Sequence, residues 1–160
     1  MLALCQWLEQ TSVGSAIRES LWLFPALETL HLFGVVALVG SISIFDLRLL
    51  GLLLRGASVH DLYKRLIPWT WAGFSIQVVT GLLLFASEAH KIYVNPAFRL
   101  KMILIALAGV NALVFQLTAY RRISRSNQAT TPPFAAKISG LVSMVLWLAV
   151  IAAGRFIGFL

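Results

Sequence analysis

Four long apolar stretches, almost free of charge, occupy most of this 160-residue chain: Thr29 to Phe45, Ile67 to Ser87, Met102 to Tyr120 and Ile138 to Gly154. Each approaches the roughly 20 residues needed to cross about 30 Å of hydrocarbon. Lipid offers backbone amides no hydrogen-bonding partner, so a spanning segment must satisfy its own, and an uninterrupted helix does. With 59% hydrophobic and 12% charged residues, the chain carries more apolar surface than a soluble domain of this size can bury. The expected architecture is all-α: an integral-membrane four-helix bundle with an N-terminal amphipathic interfacial helix. A single membrane domain covers residues 1–160, with the interfacial segment at 3–20 and transmembrane helices at about 25–50, 66–88, 98–121 and 135–157. Only short connections remain, which leaves no room for a separate soluble catalytic module.

In a soluble protein a net charge of +7 would point to nucleic acid. Here it follows from loop Lys and Arg meeting an anionic leaflet, and no nucleic-acid partner is expected. Residues Met1 to Cys5 lack the basic start and apolar core of a signal, so no cleaved targeting segment is expected. Cys5 is the only cysteine, which excludes an internal disulfide and a CxxC attachment motif. Any haem would be held non-covalently. Eight of the thirteen Lys and Arg fall in the first and third connections (Arg48, Arg55, Lys64, Arg65; Arg121, Arg122, Arg125, Lys137). That bias predicts these connections in the cytoplasm and both termini outside, in the periplasm of a bacterium.

Residues 3–20 place Leu4, Trp7 and Leu8, then Val13 and Ile17, at helical spacing, with a break near Thr11-Ser12 or Gly14. Such a segment is expected along the outer membrane surface. Pro25 fits the first turn of the first spanning helix, Pro68-Trp69 the start of the second, and the turn Val94-Asn95-Pro96 precedes the third. The polar stretch Ser124 to Pro133 reads as a flexible cytoplasmic loop.

The few residues able to carry chemistry gather near the outer side. Glu28 and His31 are three apart and share a face of the first helix, and about 9 Å of helical rise carries the chain from Pro25 to His31. Gly34 removes bulk beside the imidazole, leaving a gap for a flat macrocycle or a neighbouring helix. His31 is either a packed histidine bonded to Glu28 or an intramembrane ligand. His90, beside Glu88, is either a solvated loop histidine or a second axial donor to a six-coordinate haem iron. Arg99 and Lys101 open the third helix and Arg155 closes the fourth, suiting a propionate, a quinone oxygen or lipid headgroups; Glu28 or Glu88 would pair with Arg155 or Lys101. Gly73, Gln77, Thr80 or Gly81, and Glu88 fall on one side of the second helix, and Lys101, Ala108 and Asn111 on one side of the third, facing the bundle axis or a cofactor. His60 reads as solvated, and Asp46-Leu47-Arg48 as a local ion pair and anchor. Copper, held by His31, His90 and Met102, is the alternative metal, although no Met-x-x-Met or His-x-His cluster exists. Hydrolase, phosphate-loop and zinc-protease motifs are absent.

The segments Glu28-Thr29-Leu30-His31-Leu32-Phe33-Gly34, Asp46-Leu47-Arg48-Leu49-Leu50-Gly51 and Asn95-Pro96-Ala97-Phe98-Arg99-Leu100-Lys101-Met102 resemble a family of uncharacterised small bacterial inner-membrane proteins over nearly the whole chain. More distantly the chain looks like the membrane parts of copper-resistance protein D and the small haem-associated protoporphyrinogen oxidase, where a first-helix His followed by Gly and a later helix-starting Lys recur. That resemblance implies a haem- or metal-ligand role for His31 and a supporting role for Lys101. The expected function is that of a b-type haem protein of the inner membrane, an electron-transfer or oxidoreductase subunit, with haem near the outer face between the first and second helices. The metal ligands would be His31 and His90, with Glu28, Gly34, Lys101 and Arg155 lining the cofactor. The alternative is a non-enzymatic copper- or ion-handling, transport or assembly protein, and a third is a purely structural subunit. Expected partners are the lipid bilayer, a quinone, and either a second copy of the chain through Gly154-Arg155-Phe156-Ile157-Gly158 or a periplasmic or membrane redox protein.

Overall fold

The computed structural model describes residues 2–121, 123 and 132–159. In chain order its helices are α1 (Leu2–Glu9), α2 (Ser12–Glu19), α3 (Leu23–Leu50), α4 (Val59–Ser87), α5 (Ala89–Val94), α6 (Pro96–Phe115), extended by a π-helical turn (Gln116–Tyr120), and α7 (Phe134–Phe156). Among the described residues, α3, α4, α6 with its extension, and α7 are long and apolar enough to cross a membrane. The chain is a multi-pass, all-α membrane protein. Large side chains such as Phe33, Val36, Val110 and Val114 remain exposed, as a lipid-facing wall requires. Most of the expected cytoplasmic loop, residues 124–131, and Arg122 lie outside the described residues.

Local chemistry sets the helix ends. Gly51, at φ 75°, closes α3 by turning its N–H to the carbonyls of Leu47 and Arg48, a left-handed conformation that glycine adopts at no steric cost. Ser58 caps α4, its hydroxyl accepting from the Asp61 N–H at 3.4 Å. This cap starts α4 several residues before the expected 66 and leaves Pro68 inside the helix. Asn95 caps α6 through Oδ1 and the Ala97 N–H at 2.9 Å, while its Nδ2 donates to the Ile157 carbonyl and ties the start of α6 to the end of α7.

α3 packs on α4 and on α7, and α6 packs on α7, but the backbones of α4 and α6 stay apart. Small residues set the closest crossing. A Cβ at Gly73 would stand 2.5 Å from the Leu38 N and 2.9 Å from the Gly34 carbonyl, and one at Gly34 would stand 2.8 Å from Ile76. Dispersion drives helix association in lipid, so this backbone approach fixes the α3–α4 seam. At the loop end Leu49, Val59, Phe115, Ala119, Ile123 and Ala136 form the core. Asn111 and Ser139 clamp α6 to α7 with two bonds of 3.1 Å.

The lead-in forms two helices, interrupted where the break was expected, at Thr11. Thr11 breaks it, its hydroxyl donating to the Leu8 carbonyl and accepting from the Gly14 N–H. α1 then packs on α5 and α2 on α4. Gly14 permits this, since a Cβ there would meet the Leu8 and Ala86 carbonyls at 2.8 and 2.9 Å. Arg18 donates to the carbonyls of Glu9 and Ser87, placing a cation where α4 ends with unpaired carbonyls. Leu4, Trp7 and Val13 stay exposed, an apolar side available to the bilayer.

Candidate functional site

His31 lies about 12 Å into α3, where the Gly34–Gly73 crossing brings α4 alongside. Its Nδ1 is 2.7 Å from the Thr80 hydroxyl, and that hydroxyl is 2.6 Å from the Ile76 carbonyl of its own helix. A hydroxyl has one proton. Given to Ile76, it leaves the Thr80 oxygen to accept, so His31 carries its proton on Nδ1 and keeps the lone pair on Nε2. The ring lies against Gly81, where a Cβ would stand 3.4 Å from Cε1, in ordinary van der Waals contact. Gln77 donates to the His31 carbonyl and fixes the backbone beneath the ring. The ring is thus oriented by α4, with one nitrogen uncommitted.

The other expected site residues are placed differently. Glu28 is exposed, and the imidazole bonds to Thr80 instead. Three residues turn a helix by about 300°, so Glu28 is offset by about 60° from the face that meets α4. Gly34 seats α4 and leaves no gap beside the imidazole. Lys101 is half-buried on α6 and close enough for its charge to act on His31. Its chain crosses Gly154, with Nζ 3.3 Å from where a Cβ would stand. Gly154 therefore serves an internal contact. Arg155 is exposed, its guanidinium 5.0 Å from the centre of the Phe159 ring. Arg99 likewise sits 5.5 Å from the centre of the Tyr93 ring, and Glu88 pairs with Lys91 at 3.3 Å.

His90 stays apart from His31. α4 continues from Thr80 to Ser87, about 10 Å of rise, before the chain turns into α5. There the His90 N–H donates to the Glu9 carboxylate at 2.8 Å, and its ring is exposed. Met102 is exposed on α6. Among the described residues no three His, Cys, Asp or Glu side chains gather as a metal-binding group. The close seam at Gly34 and Gly73 also leaves no space for a macrocycle between α3 and α4, so any ligand must approach Nε2 from outside that seam.

The polar stripes do face neighbouring helices. Gln77 and Thr80 meet His31, and Asn111 meets Ser139. His60, expected to be solvated, is half-buried against the Tyr120 hydroxyl at 3.1 Å.

Sequence reasoning missed a second polar centre near the loop end. Asp46 is 4% exposed, and among the described residues its Oδ2 has no hydrogen-bond partner; Ser143 of α7 stands beside its carboxyl. Arg48 turns instead to the Ala57 carbonyl, with bonds of 2.9 and 2.7 Å. Residues two apart on a helix point about 160° away from each other, so the expected Asp46–Arg48 anchor does not form a facing pair. Asp46 lines a cavity of about 330 Å³ bounded by α3, α4, α6 and α7. The available signal was an acid inside a long helical span, where ionisable groups are costly.

No curated protein and no solved structure matches the chain. One family model does, over residues 6–160, and with nearly the whole chain covered the protein belongs to that family of unknown function, DUF6644.

Proposed function

We propose that this protein binds b-type haem in the bacterial inner membrane and serves electron transfer or an oxidoreductase complex, with His31 as the iron ligand through Nε2. The observation that carries the reading is the His31–Thr80 bond of 2.7 Å, which commits Nδ1 and leaves Nε2 as a donor. Ligand histidines are oriented in this way by a partner on the other ring nitrogen. A bound haem iron would supply one-electron redox chemistry. Thr80 and Gln77 hold the ligand residue in place, and Lys101 and Arg155 supply cations for propionates.

Lys101 also separates haem from the copper alternative. A cation whose charge reaches His31 opposes a bare metal ion there, whereas an anionic side group on a macrocycle gains from it. The bias of Lys and Arg toward the first and third connections supports an orientation with both termini, and therefore the His31 end, in the periplasm. A partner redox protein or a second copy of the chain would dock at that end.

The test is the visible spectrum of protein purified after haem-supplemented expression. His31→Ala should remove the Soret band while the protein remains inserted, because insertion depends on apolar length. Thr80→Val, which removes the acceptor for Nδ1–H, should weaken haem retention by about 10- to 100-fold. A wild-type spectrum retained by His31→Ala sinks the assignment.

A further inference from the structure

The cavity beside Asp46 has three features that together define a ligand. The first is its route of access. The backbones of α4 and α6 do not pack together, and side chains join them at the two ends of the gap: Phe85 stacks on Phe98 at one, with ring centres 5.4 Å apart, and Gln116 donates to the Tyr63 hydroxyl at 2.7 Å at the other. Between these bridges the cavity lies behind exposed Trp71 and Phe74, within the spanning region in its half nearer the loop end. A molecule entering there comes from the bilayer.

The second feature is the wall. Phe45, Trp71, Phe74, Phe115 and Trp147 surround a space of about 330 Å³, at the lower end of small-ligand pockets. Aromatic faces and edges on several sides suit a flat ring better than an acyl chain. The third is the unpartnered carboxylate oxygen. Even with Ser143 beside the carboxyl, Oδ2 has no partner among the described residues, and a polar atom buried in that state is costly unless something satisfies it. The terminal torsion of aspartate is broad, so a modest turn presents that oxygen to the cavity. As a carboxylate it calls for a hydroxyl donor. Ser41, Thr70, Asn111 and Ser139, which also line the space, are already bonded to one another or to carbonyls.

We propose that this cavity is a binding site for a quinol-class lipid, whose ring lies among the aromatic side chains and whose hydroxyl donates to Asp46. The site is at the opposite end of the bundle from His31 and stands independently of the haem reading.

The experiment uses the full chain in lipid nanodiscs under anaerobic conditions, titrated with a decyl-substituted para-hydroquinone and, separately, with its dimethyl ether. Binding is followed through tryptophan fluorescence, since Trp71 and Trp147 line the cavity. The hydroquinone should bind saturably and at least about tenfold more tightly than the ether, because only it can donate to a carboxylate. Asp46→Leu should abolish that preference. Gly109→Phe should abolish binding with Asp46 intact, because Gly109 lines the cavity and a Cβ there meets nothing within 4 Å. The proposal is overturned if both probes bind wild-type protein equally, as in a cleft that takes acyl chains, or if the hydroquinone does not saturate. It is overturned equally if Gly109→Phe binds as wild type does, or if a folded Asp46→Leu keeps the preference.

Discussion

Replacing Gly73 by alanine tests whether the α3–α4 seam holds the molecule together. The added Cβ would stand 2.5 Å from the Leu38 N and 2.9 Å from the Leu38 Cα and the Gly34 carbonyl. All three are backbone atoms, so no side-chain rotation relieves the contact, and the helices must part by about 1 Å to restore ordinary separation. Overpacking of this kind costs about 1–3 kcal/mol. The same displacement would stretch the His31–Thr80 bond from 2.7 Å beyond hydrogen-bonding range and release the imidazole. Gly40→Ala on α3 is the matched control, since a Cβ there meets nothing within 4 Å. It should be neutral or add about 0.5–1 kcal/mol through helix propensity. Unfolding in mixed micelles titrated with a denaturing detergent, followed by tryptophan fluorescence, ranks the three proteins. Gly73→Ala should unfold first, and equal stability of Gly73→Ala and Gly40→Ala would refute the close-crossing argument.

Asn111→Ala removes both bonds of the α6–α7 clamp and should lower stability by about 1 kcal/mol in the same titration, interhelical bonds in membranes averaging about 0.6 kcal/mol each. An unchanged midpoint would mean that apolar packing alone holds that pair. Arg18→Ala removes the donor to the Ser87 and Glu9 carbonyls and should speed amide hydrogen exchange in α1 and α2 while leaving the centre of α3 protected. Equal exchange in the two proteins would show that the lead-in is held by Cys5 and Ile17, which are buried, without help from the arginine. For orientation, a cysteine placed at Ser126 in a Cys5→Ser background should resist an impermeant thiol reagent in intact cells, and ready labelling would invert the topology.

The spans were legible because 3.6-residue helices crossing lipid need long apolar runs, and few other sequences look like that. His31 was visible for the same reason, as an ionisable residue inside such a run, and its partners Gln77 and Thr80 were visible as a stripe. That the stripe meets His31 depends on the crossing at Gly34 and Gly73, which is a relation between two helices and has no signature within either one. Gly34 itself read as a gap for either a macrocycle or a neighbouring helix, because a small residue admits both, and here α4 fills the space.

The misread positions share a cause, because chain neighbours were taken for spatial ones. Asp46 and Arg48 are two residues apart and face different surroundings. Pro68 read as a helix start, but Ser58 supplies the cap and the proline sits inside α4. Gly154, too, meets a residue distant in sequence, Lys101, which covers it from inside the bundle. The Asp46 cavity draws lining residues from four helices, so it existed only once their packing was known.

The central claim is that His31 presents Nε2 to a haem iron, and the haem content of the wild-type chain tests it most directly. Protein expressed with haem precursor, purified in mild detergent and assayed as the pyridine haemochrome should contain about one haem per chain. Protein that is folded and monodisperse yet shows no haemochrome absorbance would contradict the claim, and His31 would then be a polar fastener between α3 and α4.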